Sequence, residues 1–249
     1  GEQWKRNDNW GSDLPLSEWY GLSVDKGVVT YVRLSNNNLT GELPRSIGVL
    51  SEVYGGVQLG DNNISGRIPK GMFLHENVYL NNNQIESIES PDDPSDVRTV
   101  SLHLENNRIY GALPEFIADA PVLQYVDLEN NLFTGSIPPS YTSLISQNRR
   151  LYLNGNYLSG RLPESIVQNP DFQLSWMEFL YQNGAGFDLE DVPLRAPISY
   201  FLYSDPQTGT VEGPYYAIDV YSKNRYTVIY EGWRPENLSD ELIAWYDAY

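Results

Sequence analysis

Three acidic side chains are the best candidates for catalysis in this chain of 249 residues. Glu105 lies in a segment with strand-like alternation, and Asp127 and Glu129 lie at alternate positions of the next such segment. A glycoside hydrolase needs two carboxylates at a set separation in a cleft, and neighbouring strands could supply that separation. The alternative is that acids recur at surface positions because the chain carries 33 Asp and Glu against 16 Lys and Arg. We favour this alternative and expect no catalytic residue.

Metal and redox chemistry have few candidates in the sequence. The chain has no cysteine, which excludes disulfides, thiolate metal sites and a cysteine nucleophile. Its two histidines, His75 and His103, lie in different segments and form no paired cluster. The acidic stretch 90–96 lacks a recognised calcium-loop spacing and favours a solvated turn. Nucleotide-loop, serine-hydrolase and zinc-protease motifs are absent, so we expect no metal, no cofactor and no enzymatic activity.

A short pattern repeats along the first two thirds of the chain. The segment 32–44 returns at 57–69, 102–114, 126–138 and 151–163, and a weaker copy covers 78–88. A motif of this sequence that repeats every 21 to 25 residues predicts a leucine-rich repeat solenoid, which is an α/β-type arc with a parallel concave β-sheet. Each copy carries one asparagine at the same place: Asn37, Asn62, Asn83, Asn107, Asn131 and Asn156.

Each copy can be interpreted physically. Alternating apolar residues predict a strand whose apolar side chains stack on the next coil, while the residues between them face the concave side. The asparagine lies where the chain leaves the strand, and its amide is expected to be buried and to bind backbone groups of adjacent coils. A glycine such as Gly41 then permits a turn, and a proline such as Pro44 directs the chain to the convex side.

The repeat wording L-x-L-S-x-N-x-L-T-G-x-[IL]-P resembles the plant-specific class of leucine-rich repeats. The segment 9–22, with Trp10 and Trp19-Tyr20-Gly21-Leu22, resembles the N-terminal cap that precedes such repeats. In plant receptors that cap carries paired cysteines, whereas this chain has Ser17, Glu18 and Ser23 nearby. The cysteine-free version is similar to bacterial surface proteins of the Bacteroidetes, as is the ending at 176–187. The resemblance implies a right-handed solenoid that acts by binding.

The repeat register predicts which side chains share the concave surface. Residues at equivalent places in successive copies form columns across the sheet, and exposed tyrosines and arginines beside amides and carboxylates are typical of recognition surfaces. The alternative is that β-strands favour tyrosine anyway. The predicted ligand-binding residues are Tyr31, Arg33, Gln58, Asn77, Tyr79, His103, Glu105, Tyr125, Asp127, Glu129, Arg150 and Tyr152.

The sequence predicts three parts: an N-terminal cap at 1–28, about six repeats with a terminal cap at 29–192, and a tyrosine-rich α+β segment at 193–249. The last part holds nine of the 19 tyrosines. Strands are predicted over 198–203, 215–221 and 226–230, and a short helix over 237–246. The order of strand, Gly232-Trp233-Arg234-Pro235 and helix is faintly similar to the opening of a thioredoxin-like domain. The alternative is a small β-rich domain, complete or truncated.

The net charge limits the kinds of molecule that this chain could bind. A formal charge of −17 repels phosphate backbones and anionic membranes, so we expect no nucleic-acid partner. The chain opens without a start residue, so a signal or an N-terminal lipid anchor would lie outside it, and such an anchor is the expected link to a membrane. We predict a surface or secreted binding protein for a protein, peptide or glycan. The rival interpretations are a structural spacer or envelope scaffold and, remotely, a carboxylate-dependent hydrolase.

Overall fold

The computed structural model describes residues 3–50, 56–146, 149–167, 182–184, 186–188, 198–204, 211–222 and 225–231, the last three ranges by their backbone. In chain order the strands are β1 (Leu22–Asp25), β2 (Val28–Arg33), β3 (Thr40–Glu42), β4 (Val57–Gln58), β5 (Asn63–Ile68), β6 (Asn77–Tyr79), β7 (Gln84–Ile88), β8 (Ser101–His103), β9 (Tyr110–Gly111), β10 (Tyr125–Asp127), β11 (Leu132–Gly135), β12 (Arg150–Tyr152), β13 (Tyr157–Leu158), β14 (Gly160–Arg161), β15 (Phe187–Asp188), β16 (Ile198–Ser204), β17 (Val211–Ser222) and β18 (Arg225–Glu231). Short helices α1 (Phe116–Asp119), α2 (Thr142–Ser146) and α3 (Glu164–Val167) and 3-10 turns at Leu16–Glu18, Arg45–Leu50, Lys70–Leu74, Pro94–Asp96 and Pro139–Tyr141 complete the coils.

A seven-stranded sheet forms one side of the coils, in the order β1-β2-β4-β6-β8-β10-β12. Strand β1 is antiparallel to β2, and the strands from β2 to β12 are parallel, one from each coil. Shorter parallel sheets, β3-β5-β7 and β9-β11-β13, line one flank. The predicted solenoid with a parallel concave sheet is therefore confirmed.

Apolar residues at alternate strand positions form one continuous core. Val57, Val78, Leu102 and Val126 occupy the same register position of successive strands and have no exposed surface. Each coil buries its apolar face against its neighbours rather than within itself, as solenoids do. Larger side chains such as Phe73 fill the space beneath the convex turns.

The asparagine of each repeat is buried and bound to backbone on both sides, as predicted. Asn107 is 7% exposed. Its Oδ1 accepts a hydrogen bond from the Ile85 amide of the preceding coil at 3.0 Å, and its Nδ2 donates to the carbonyls of Leu80 and Leu104 at 3.0 Å each. The five asparagines from Asn62 to Asn156 each accept from a preceding-coil amide and donate to carbonyls of both coils. The amides form a ladder through the core.

At both ends of this ladder, groups outside the six asparagines make the hydrogen bonds of the missing coil. At the N-terminus the Arg6 backbone takes the place of a preceding coil, because its amide donates to Asn37 Oδ1 and its carbonyl accepts from Asn37 Nδ2, each at 2.8 Å. After the last asparagine, Gln182 accepts from the Leu158 amide at 3.1 Å and donates to the Leu153 carbonyl at 3.0 Å. The longer glutamine continues the pattern, so the first and last described coils also have bonded amides.

The cysteine-free N-terminal cap is held by aromatic contacts. Trp10 lies between Trp4 and Trp19, with ring centroids 5.1 and 5.0 Å apart. Its indole N–H donates to the Tyr20 carbonyl at 2.9 Å. The Arg6 guanidinium lies 3.9 Å from the centroid of the Tyr20 ring. Packed tryptophans therefore supply the apolar contact that holds this cap.

The turns after the strands follow the predicted glycine rule. Gly41, Gly66, Gly111 and Gly135 all have positive φ, between 75° and 97°, a region that side chains disfavour. The third copy departs from the pattern with an acidic convex turn around Asp93, as expected. There the Asp93 carboxylate accepts from the Ser95 amide at 2.8 Å.

The C-terminal strands occur where the sequence predicts them. Strands β16, β17 and β18 form an antiparallel sheet in that order. The helix predicted over 237–246, and with it the thioredoxin-like bend at 232–235, lies outside the described residues. In the described part of the chain, no helix combines the length and apolar character that crossing a bilayer requires.

Removing one amide from the ladder should destabilise the protein strongly. In Asn107→Ala the Ile85 amide and the carbonyls of Leu80 and Leu104 lose a buried partner, and each buried group left unpaired costs about 1–3 kcal/mol. We expect a loss of about 3 kcal/mol or more in the free energy of unfolding by urea, followed by circular dichroism. Asn63→Ala is the matched control, because this exposed asparagine loses two surface hydrogen bonds, one donated to Asn38 Oδ1 and one accepted from Gln84 Nε2. Equal losses in the two variants would contradict the ladder's role.

Candidate functional site

The predicted concave columns are those of the structure. In one column Gln58, Tyr79, His103, Asp127 and Tyr152 are successive register partners. In the neighbouring column Asn77, Ser101, Tyr125 and Arg150 align in the same way. The period-two alternation of the strands therefore places these side chains on the concave side, opposite the buried apolar set.

Seven predicted residues lie together at the centre of the concave face, and we call them the central patch. They are contributed by β6, β8, β10, β12 and the second residue after each of β8 and β10. Its members are Tyr79, His103, Glu105, Tyr125, Asp127, Glu129 and Tyr152.

Four aromatic rings of the patch form a row across four coils. His103 stacks between Tyr79 and Tyr125, with both centroid distances 4.5 Å and interplanar angles of 14° and 26°. Tyr125 in turn contacts Tyr152, 5.4 Å between centroids. The rings are half-buried by this mutual contact and were expected to be more exposed. The stacking restricts the rings, so a ligand would meet an ordered surface.

Three carboxylates lie beside the aromatic row. Asp127 Oδ2 accepts from the Tyr125 hydroxyl at 3.3 Å and Oδ1 accepts from the Glu129 amide at 3.1 Å. Asp127 is only 8% exposed, deeper than an open strand position suggests, because Tyr125 leans over it. Glu105 Oε2 lies 3.9 Å from His103 Nδ1.

Burial and mutual repulsion shift the acidity of these groups. Burial, together with the smaller repulsion of Asp127, Glu129 and Asp61, raises the pKa of Glu105 to about 7. Burial also raises the pKa of Asp127 to about 6, with Glu129 adding to the effect and the Glu129 amide opposing it. Burial lowers the pKa of His103. The patch therefore carries its full negative charge only when both Glu105 and Asp127 are ionised.

The other predicted site residues do not join the patch. Arg33 lies over the Tyr31 ring, 3.8 Å from its centroid, on β2. Strand β4, which carries Gln58, separates this pair from β6. Asn77 on β6 and the exposed Arg150 on β12 occupy the neighbouring column.

His75 is fully buried, with Nε2 3.1 Å from the Ile47 carbonyl oxygen, and is remote from the concave surface.

A second amide ladder, which the repeat pattern did not predict, lies beside the concave face. Asn82 donates to Asp61 Oδ1 at 2.7 Å, Asn106 donates to Asn82 at 2.8 Å, and Asn130 donates to Asn106 at 3.0 Å. These residues have positive φ, between 51° and 58°. The available signal was the Asn or Asp directly before the buried asparagine in every copy except the last, where Gly155 takes that place, since Asn and Asp tolerate the left-handed region. This exposed ladder borders the patch with polar groups of fixed orientation.

The family match and the similar proteins agree with the repeat solenoid seen in the structure. The family described as Leucine Rich Repeat matches residues 29–50, 122–144 and 149–169. Pollen receptor-like kinase 2 of Arabidopsis thaliana is 30% identical over 216 residues, which cover 82% of this chain and 30% of that protein. The chain is a leucine-rich repeat solenoid, and its sequence is similar to those of plant receptor proteins.

Solved structures of plant receptors share this solenoid. The Arabidopsis receptor kinase HAESA, in complex with the peptide hormone IDA and the co-receptor SERK1, matches with a TM-score of 0.55 and 28% identity over 65% of this chain and 26% of that chain. The PEPR1–AtPEP1 structure matches with a TM-score of 0.55 and 26% identity over 67% of this chain and 25% of that chain. The chain thus spans less than a third of the length of these relatives.

The raised pKa of Glu105 predicts a pH dependence of stability. Its ordinary pKa is 4.5 and its folded pKa is about 7, so between these values the folded chain holds a proton that the unfolded chain releases. Stability should therefore fall as pH rises from about 5 to about 8. Glu105→Gln removes the titration and should be more stable than the wild type at pH 8 by about 1–2 kcal/mol, after allowance for solvent screening.

The measurement is urea unfolding of both proteins at a series of pH values. Glu86→Gln, which neutralises an exposed glutamate on β7, is the control and should follow the wild-type pH profile. Parallel profiles for the wild type and Glu105→Gln would show that Glu105 titrates normally in the folded protein.

Proposed function

We propose that the central patch binds a basic peptide or an exposed basic segment of a protein, outside the cell and without catalysis. The aromatic row beside three carboxylates carries this proposal. Planar rings such as Tyr79 and Tyr152 pack against peptide groups, proline or guanidinium planes. Carboxylates such as Glu129 pair with Lys or Arg, and the charge of −17 attracts such a ligand from a distance.

The dimensions of the patch suit an extended peptide. Parallel strands lie about 4.8 Å apart, so the row from Tyr79 to Tyr152 spans about 14 Å. An extended chain advances about 3.3 Å per residue, so about four residues would cross the row. The HAESA structure, which contains a peptide hormone, supports a peptide ligand for this fold.

Location is part of the same proposal. The similar plant receptors support an extracellular or outer-surface site for the solenoid. The bacterial assignment rests on the cysteine-free cap and the ending at 176–187. It and the N-terminal lipid anchor remain predictions.

Truncating the tyrosines of the row should strongly weaken peptide binding. The triple variant Tyr79→Leu, Tyr125→Leu and Tyr152→Leu keeps apolar volume and removes three aromatic contacts of about 0.5–1.5 kcal/mol each. We expect a loss of affinity of roughly 10-fold to 1000-fold. The measurement is fluorescence polarisation with the tightest ligand from an array of peptides that combine Lys or Arg with aromatic residues. Tyr110→Leu, at a 63% exposed tyrosine on the flanking sheet, is the matched control.

The outcomes of this screen separate the rivals. Saturable peptide binding that weakens with added salt and is lost in the triple variant supports the proposal. A hit on a parallel glycan array, lost in the same variant, would replace the peptide by a sugar at the same site. No saturable ligand on either array, with the protein folded, would favour a spacer or scaffold without a specific ligand.

The hydrolase alternative has one supporting observation. Carboxylate oxygens of Glu105 and Asp127 lie within 4.8 Å of one another, close to the separation of about 5 Å in retaining glycosidases. Such enzymes need one ionised nucleophile and one protonated acid, whereas burial raises the pKa of both groups here. We therefore expect no product release from a panel of aryl glycosides. Turnover that disappears in Asp127→Asn would contradict the non-enzymatic proposal.

A further inference from the structure

One histidine and two carboxylates converge within the central patch. His103 ends β8, Glu105 follows it at the next outward position, and Asp127 is the register partner of His103 on β10. One potential ligand atom from each residue lies within 4.8 Å of the other two. The alternation within one strand and the register between two strands therefore bring three metal-binding side chains to one point.

The contacts of His103 with neighbouring side chains hold its ring in the orientation that a metal-binding histidine needs. His103 Nε2 lies 3.0 Å from Ser101 Oγ, which leaves Nδ1 facing Glu105. The imidazole is also held between Tyr79 and Tyr125. A hydrogen bond to the second ring nitrogen fixes the tautomer of a ligating histidine in most metal sites.

Glu105 and Asp127 form no ion pair with Lys or Arg among the residues that the structure describes. Glu105 Oε2 is buried and has no hydrogen-bond partner among the described residues. Asp127 is more than nine-tenths buried. A buried carboxylate without a partner is costly, and a bound cation would remove that cost.

We propose that His103 Nδ1, Glu105 Oε2 and the Asp127 carboxylate bind one Zn²⁺ ion at the centre of the concave face. Zinc takes nitrogen and carboxylate ligands at about 2.0–2.2 Å, so its ligand atoms lie about 3.4 Å apart, a distance that small side-chain rotations would reach. Calcium requires six to eight oxygen ligands, more than this cluster offers. The site leaves a coordination position facing the concave side for water, Glu129 or a ligand group. It goes beyond the peptide proposal and does not depend on it.

The test is a zinc titration of the chelator-treated full chain by isothermal calorimetry, at physiological salt with excess Mg²⁺. We expect one Zn²⁺ per chain and, with Co²⁺ as probe, a visible absorption band of a four- or five-coordinate site. His103→Phe keeps a ring between the two tyrosines and removes the nitrogen ligand, and Glu105→Gln removes an anionic oxygen. Loss of a direct ligand should weaken zinc binding by at least about 100-fold, since loss of an outer-shell partner already costs about 10- to 100-fold.

Two controls keep the result interpretable. Glu86→Gln lowers the negative charge equally at an exposed site and should bind zinc as the wild type does. Circular dichroism of each variant shows whether it folds, and Asp127→Asn provides a third ligand variant. Several weak zinc ions per chain, with affinities that His103→Phe and Glu105→Gln do not change, would overturn the proposal and show attraction by the acidic surface alone. Absence of saturable zinc binding to the folded wild type would also overturn it.

Discussion

The buried side-chain amide between successive coils is the interaction on which the remainder of the solenoid depends. Strand β8, for example, has only three residues, and so short a strand has little stability by itself. The chain must also leave each strand through backbone groups that no strand partner can satisfy. Asn107 binds three of these groups across two coils. The amide therefore fixes both the turn of its own coil and the spacing to the preceding one.

The same constraint explains the two ends. A first coil has no predecessor, and the Arg6 backbone supplies the missing donor and acceptor to Asn37. Gln182 uses its extra methylene to reach the equivalent groups from the other end. The tryptophans around Trp10 then cover the cap without disulfides. At each end, residues outside the repeat motif bind the backbone groups that would otherwise be unpaired. The need for hydrogen-bond partners therefore extends beyond the segments that carry the motif.

Much of the fold could be predicted because one residue type satisfies one requirement in every coil. The six asparagines, the positive-φ glycines and the column register all follow from the repeat. The site could be predicted only as a set of columns. Whether Tyr125 stacks on His103 or stands upright depends on side-chain rotamers and on neighbours in other coils, which periodicity does not specify. The exposed ladder through Asn106 was missed for a related reason: an Asn or Asp before a buried asparagine indicates a left-handed backbone, but not which side chain of the next coil it contacts.

The central patch also shows why a solenoid tolerates an electrostatically unfavourable site. Glu105 and Asp127 are held close together in partly dry surroundings, and their raised pKa values show that the fold opposes their ionisation. In a solenoid, stability is roughly a sum over coils and their interfaces. The bonded side-chain amides of Asn107 and Asn131 belong to the same two coils as Glu105 and Asp127. Local repulsion at the surface is therefore offset within the same coils, and the unbalanced charge remains available to a cationic partner.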